Sequence, residues 1–313
     1  DVERSRGLGD VYKRQALARR NGNYEDRSVW MGSKNGEAVS FGKSQGPAEL
    51  GEEDTITPFG RAYYQRRANY FVMPYLMIVA LNVLLQAVAA AYWAGGFAAT
   101  VVAINRIVQT FFDRSDFLFP DHWYRPAFLY LCICIFFVVI LPGQAIISLL
   151  WLIVTKWIII GRRREGKYNW DQSSYCQRWQ THLTLQKPTM QGYGGYIFHN
   201  LSGTVFAVWF LRALGARIGK DCAIWAGGKP SLTLTEPDLV TMGDNVSIDD
   251  CSVVAHINSR GQFSLNRLRI GDGCAMRTGS RLLSGASMES QSMLLEHTLV
   301  ASGEITELSL IHI

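Results

Sequence analysis

The feature that most constrains this chain is a six-residue step from Ile270 to Glu304. Large aliphatic residues recur at Ile270, Met276, Leu282, Met288, Leu294 and Val300. Four positions after each of the first five stands a small residue: Cys274, Ser280, Ala286, Ser292 and Thr298. Neither the 3.6-residue helical period nor strand alternation gives a step of six, so the pattern predicts short parallel strands joined by tight turns and coiled on one another. Each coil buries its aliphatic row against the coils above and below, and the small residue lets the chain turn a corner. The same step occurs at Ile218-Gly219 to Ile224 and at Met242-Gly243, Ile248 and Val254.

A sequence of this kind resembles the left-handed β-helix of hexapeptide-repeat acyltransferases, in which three hexads complete one triangular coil. The left hand comes from the resemblance alone, because it departs from the general right-handed crossover rule. The hexads from Met276 onward carry Arg277, Leu283, Glu289, Leu295 and Ala301 where that family has glycine.

Upstream, the chain has no charged residue from Tyr70 to Trp93. That is long enough to cross a hydrocarbon core of about 30 Å. Val101, Ile104, Val108 and Phe111 then share one helical face, which predicts an amphipathic helix at the interface. A second apolar run, Ala127 to Ile160, is broken at Pro142-Gly143-Gln144 and is read as one kinked, tilted helix. Arg61, Arg66 and Arg67 precede the first run, and Arg162, Arg163, Arg164 and Lys167 follow the second. The positive-inside rule then places both soluble flanks on the cytoplasmic side of an integral membrane protein with two spans. Two spans with a single interfacial arginine offer little for a transport path.

The expected organisation is as follows. Residues 16–57 are the tail of a preceding soluble domain and a linker, carrying Trp30-Met31-Gly32-Ser33, and 58–162 are the transmembrane region. Residues 163–214 are an interfacial connector, and 215–307 the β-helix. Asp10-Val11-Tyr12-Lys13-Arg14-Gln15 and Leu308-Ser309-Leu310-Ile311-His312-Ile313 back-translate to one short DNA element in opposite orientations. Residues 1–15 and 308–313 are therefore read as sequencing-adaptor sequence and set aside. The formal charge is +5. So weak a basic balance, part of it in the set-aside ends, does not argue for nucleic acid. Tyr168, Trp170, Tyr175 and Trp179, interleaved with Arg178 and Lys187, fit a membrane-interface belt better than a base-stacking surface. None of the six cysteines forms a CxxC pair, so neither a disulfide framework nor a zinc site is expected.

Further motifs carry a closer resemblance. Ile160-Gly161-Arg162-Arg163, Gly166-Lys167-Tyr168, Leu214-Gly215-Ala216-Arg217-Ile218-Gly219, Pro237-Asp238-Leu239-Val240 and Val254-Ala255-His256 are similar to the C-terminal region of membrane-bound nonribosomal peptide synthetase-like proteins of the ε-poly-L-lysine synthetase kind. In that family, adenylation and carrier domains precede pairs of transmembrane helices alternating with acyltransferase-like domains. The resemblance implies a donor that is a phosphopantetheine-linked thioester on a carrier protein, and neighbouring tandem domains as partners.

It also implies a catalytic residue, His256, beside the excursion Asn258-Ser259-Arg260-Gly261-Gln262 where the six-step lapses. Imidazole, with an unperturbed pKa of about 6.5, can take and return a proton near neutral pH as an amine attacks a thioester. Asp249 and Asp250 are the candidate orienting partners. His297, His182 and His199 are rivals, and His256 as an ordinary loop histidine is the plain reading of the residues alone. Two other functions fit the pattern: a noncatalytic β-helix scaffold, and a free-standing membrane-anchored acyltransferase using acyl-coenzyme A.

Overall fold

A computed structural model describes residues 28–34, 37–43, 60–111, 123–190, 201–225, 234–259 and 261–306. The adaptor readings at 1–15 and 308–313, His199, and most of the expected linker lie outside these residues. Within the expected linker, Ser28–Lys34 and Glu37–Lys43 form an antiparallel hairpin that places Trp30 opposite Ser40.

The first apolar run folds as one helix, α1, Tyr75–Phe111. At about 1.5 Å per residue its 37 residues reach roughly 55 Å. The expected separate interface helix is instead the last three turns of α1, since nothing between Trp93 and Val101 stops the helix: Gly95 and Gly96 lack the φ reversal that ends one. Ile104 and Val108 of that segment face Cys132 and Phe128 of the second helix.

The second run, α2, is continuous over Pro126–Ile160. Wider π-helical turns occupy Phe136–Ile140 and Lys156–Ile160. Pro142 has no N–H to give to the carbonyl four residues back, and the first π turn sits where that bond would be missing. Both helices are long and apolar enough to cross a membrane. They hold each other by polar contacts: the Tyr92 hydroxyl donates to the Gln144 carbonyl (2.6 Å), and Gln144 Nε2 donates to the Tyr92 carbonyl (2.6 Å). Gly96 leaves room for the Gln144 amide, which a Cβ there would overlap.

After α2, strand Gly166–Asn169 leads to helix α3, Tyr175–Met190, and later to helix α4, Val205–Ala213. From Arg217 onward, strands of two or three residues are dealt in rotation onto three parallel sheets of five, four and three strands. Ile270 stands against Met288, Met276 against Leu294, and Leu282 against Val300. These six side chains are at most 2% exposed, and Cys274, Ser280, Ala286 and Ser292 are buried with them.

The expected fold class, transmembrane α followed by a left-handed parallel β-helix, is corrected: the described residues form a mixed α/β structure. Several parallel sheets share it with an antiparallel sheet and with two long apolar helices. Two physical facts underlie the difference. Pairing between equivalent short strands fixes their parallel direction and register but gives the chain no left-handed sense. The chain from His256 to Leu265 leaves the parallel stack altogether, forming a hairpin (His256–Ser259 with Gln262–Leu265) that pairs antiparallel with Gly166–Asn169.

Candidate functional site

The site is built where that hairpin departs. An isolated parallel bridge sets Leu234 beside Val253, so two residues on Glu236 comes level with Ala255 and His256. Pro237 then opens a short 3-10 turn, Pro237–Leu239, that carries the chain away. Glu236 is fully buried. Its Oε1 lies 2.8 Å from His256 Nδ1, and its Oε2 accepts the Ala255 N–H (3.2 Å) and the Thr235 hydroxyl. A buried carboxylate is costly unless its lone pairs are used, and here both oxygens are. An ionised carboxylate only accepts, so the pair assigns the proton to Nδ1 and leaves the lone pair of the neutral ring on Nε2.

Two aromatic rings fix the imidazole plane. Phe263, fully buried on the second hairpin strand, stacks on it at 5.0 Å and 19°. Trp179 of α3 meets it edgewise at 5.6 Å. The His256 side chain keeps 19% of its surface open to solvent, so the ring is held and still reachable. At the next residue of the strand, Ile257, whose side chain points to the opposite face, a cleft of about 580 Å³ opens that is lined also by Glu165, Asn266, Arg267, Arg269 and Ser284; His256 is not among its lining residues.

A second cluster anchors the same segment from the far side of Pro237. Asp238 accepts both the backbone N–H (2.6 Å) and the guanidinium (2.8 Å) of Arg163, and lies 3.1 Å from Lys156 Nζ at the end of α2. All three side chains are at most 2% exposed. Burial alone would raise the Asp238 pKa; the Arg163 charge and hydrogen bonds and the Lys156 charge outweigh it and hold the carboxyl below its usual range. Arg163 also donates to the Tyr175 hydroxyl (3.2 Å). The end of the long helix, α3 and the Glu236 segment are thus tied at one point.

Of the expected site residues, the structure brings His256 to a carboxylate, but that carboxylate is Glu236. Asp249 faces Arg277 at 3.5 Å, and the Asp250 backbone carbonyl accepts the Gly279 N–H (2.6 Å). Neither makes a described contact with His256. The hexad pattern offers no signal for Glu236, Thr235, Trp179 or Phe263, which come together only through long-range pairing. Among the rivals, His182 is buried in α3 and His297 sits on a turn with positive φ. The buried thiols of Cys176 and Cys251 are each pushed up to about 12, chiefly by burial, which disfavours the nucleophilic thiolate. Among the described residues no group of His, Cys, Asp or Glu is placed to hold a metal ion.

No protein-family model matches the chain, and no solved structure matches it. Over 154 residues the chain is 28% identical to Delta-poly-L-ornithine synthetase of Acinetobacter baumannii. The match takes in 48% of this chain and 11% of that protein. The chain is therefore similar, over about half its length, to one small part of a much longer poly(amino acid) synthetase.

Proposed function

We propose that this chain is part of a membrane-bound synthetase that forms amide bonds from carrier-bound aminoacyl thioesters, with His256 as general base. The observation that carries the reading is the buried Glu236 carboxylate on His256 Nδ1. It gives the histidine one tautomer, one orientation and a counter-charge for the imidazolium. The similarity to a poly-L-ornithine synthetase supports the reaction class.

In the proposed step the acceptor amine attacks the thioester carbonyl and a C–N bond forms. Nε2 takes the proton that the nitrogen sheds. As the tetrahedral intermediate collapses, the C–S bond breaks and the same proton passes to the departing thiolate, giving amide and free thiol. Glu236 stabilises the transient imidazolium and does not itself become protonated. The donor is a phosphopantetheine-linked thioester, with the carrier protein and neighbouring domains of the same polypeptide as partners. The two long helices anchor the assembly in the bilayer, with both soluble flanks on the cytoplasmic side.

The test is poly(amino acid) synthesis by the native gene product carrying His256→Ala, inserted in membranes at parental level. Product formation should fall by about 10²- to 10⁴-fold. Synthesis at the parental rate would leave this region a structural role.

A further inference from the structure

Helix α4, Val205–Ala213, has two apolar faces, and the protein uses one. Ala207, Val208, Phe210 and Leu211 are buried in the core that also holds Ile218 and Ile224. At 100° per residue, Val205, Phe206 and Trp209 fall on one continuous arc of the other side. They are 52%, 54% and 55% exposed, and Phe206 and Trp209 meet edge to face at 5.4 Å. At the margin of this arc the Arg212 guanidinium is turned onto the Ile218 and Gly219 carbonyls.

This arc continues the surface of α2. Trp157 Nε1 of α2 donates to the Ala213 carbonyl at the end of α4 (2.8 Å). Around that joint α2 exposes Val154 and Ile158, the latter 78% open. Immediately beyond, Arg162 and Arg164 are exposed cations. Apolar side chains at one level, tryptophans at the boundary and arginines just beyond is the order of a bilayer interface.

We infer that α4 lies in the plane of the membrane, its Val205, Phe206 and Trp209 face sunk into the boundary between headgroups and acyl chains of the leaflet that α2 leaves. This rests on the reading of α1 and α2 as membrane spans and adds a third membrane contact, one that packs directly on the first parallel strands. It holds the sheet domain at a fixed height against the bilayer, in addition to the buried ion-pair joint at the end of α2.

Nitroxide labels read this directly. Trp209→Cys and, separately, Phe206→Cys are labelled and placed in vesicles of phosphatidylcholine and phosphatidylglycerol, against the parent chain carried through the same labelling. Val138→Cys, 73% exposed on α2, reports the bilayer, and Arg217→Cys, exposed on the first parallel strand, reports water. The expected result is that collisions with oxygen exceed those with a water-soluble nickel complex at 206, 209 and 138, with the reverse at 217. Water-like values at 206 and 209 with lipid-like values at 138 overturn the inference alone. Shielding of 206 and 209 from both reagents makes the face a protein contact and also overturns it. Water-like values at 138 overturn the membrane reading and this inference together.

Discussion

As the pH falls from 7 toward 4, His182 is protonated in the unfolded chain while it stays largely neutral in the folded one until its own pKa of about 4 is reached. The imidazole is 2% exposed in α3. Its Nε2 lies 2.7 Å from Gln186 Nε2, and its Nδ1 is buried without a hydrogen-bond partner among the described residues. Burial, helped by the nearby charges of Arg163 and Lys156, lowers its pKa from 6.5 to about 4. Above pH 6.5 the ring is neutral in both states and adds no pH dependence. Between 6.5 and about 4 the unfolded chain binds a proton that the folded chain refuses, so stability falls as pH falls. At about 1.4 kcal/mol per pH unit this interval amounts to about 3 kcal/mol. That is a large part of the 5–15 kcal/mol typical of a folded domain. The loss attached to Asp238, held below its usual carboxylate range, belongs to more acidic solution. Denaturant unfolding in detergent micelles from pH 7.5 to 4, for the parent and for His182→Leu, isolates the effect. The variant loses the Gln186 contact at every pH, which displaces its curve uniformly, and should lack about one proton of acid slope. Parallel curves for parent and variant would mean that His182 takes up its proton alike in the folded and unfolded chain.

The buried charge cluster should be sensitive to loss of its anion. Asp238→Ala leaves Arg163 and Lys156 facing each other in the interior and is expected to cost about 3–5 kcal/mol in the same unfolding assay, with a Leu substitution no better. In the pair of long apolar helices, Gly96→Ala drives a methyl group into the Gln144 amide, breaking its bond to the Tyr92 carbonyl or parting the helices. The expected loss is about 1–3 kcal/mol of stability in detergent, while Gly95→Ala, whose Cβ meets nothing within 4 Å, should be tolerated. Leu282→Ala, in the middle of the aliphatic row and fully buried, should cost about 2–5 kcal/mol by leaving a cavity between Val253 and Val300.

The aliphatic row was legible because burial there follows one arithmetic step: each residue of the row meets its equivalent three steps on, so the contact period is a whole multiple of the sequence period. The two apolar helices were legible for a similar reason, since a long charge-free run has few soluble uses. What the period could not carry was the handedness of the stack. Nor could it carry the antiparallel sheet, which depends on Gly166–Asn169 finding Gln262–Leu265 across almost a hundred residues. The helix boundary after Trp93 was misplaced because composition changes there while the backbone continues.

The candidate site was half legible. His256 was singled out by the excursion beside it and by a family likeness. Its carboxylate was sought nearby in sequence, at Asp249 and Asp250, whereas the bridge between Leu234 and Val253 supplies Glu236 from twenty residues upstream. Nothing in the spacing of Thr235, Glu236 and Pro237 marks the position. Trp179 and Phe263 were equally invisible, since each reaches the imidazole from an element outside the parallel stack. The Asp238 cluster explains why that segment is rigid: a carboxylate two residues from Glu236 is held on both sides by buried cations.

In the proposed reaction the His256–Glu236 pair moves the proton as the amide forms. Its most direct test is a single-turnover measurement with the native gene product in membranes, in which a carrier preloaded with its aminoacyl thioester is mixed with the acceptor amine. His256→Ala should leave loading intact and slow transfer by about 10²- to 10⁴-fold, and Glu236→Gln should slow it by a smaller factor. Transfer at the parental rate in His256→Ala, with the thioester loaded to the same extent, would exclude His256 as the base.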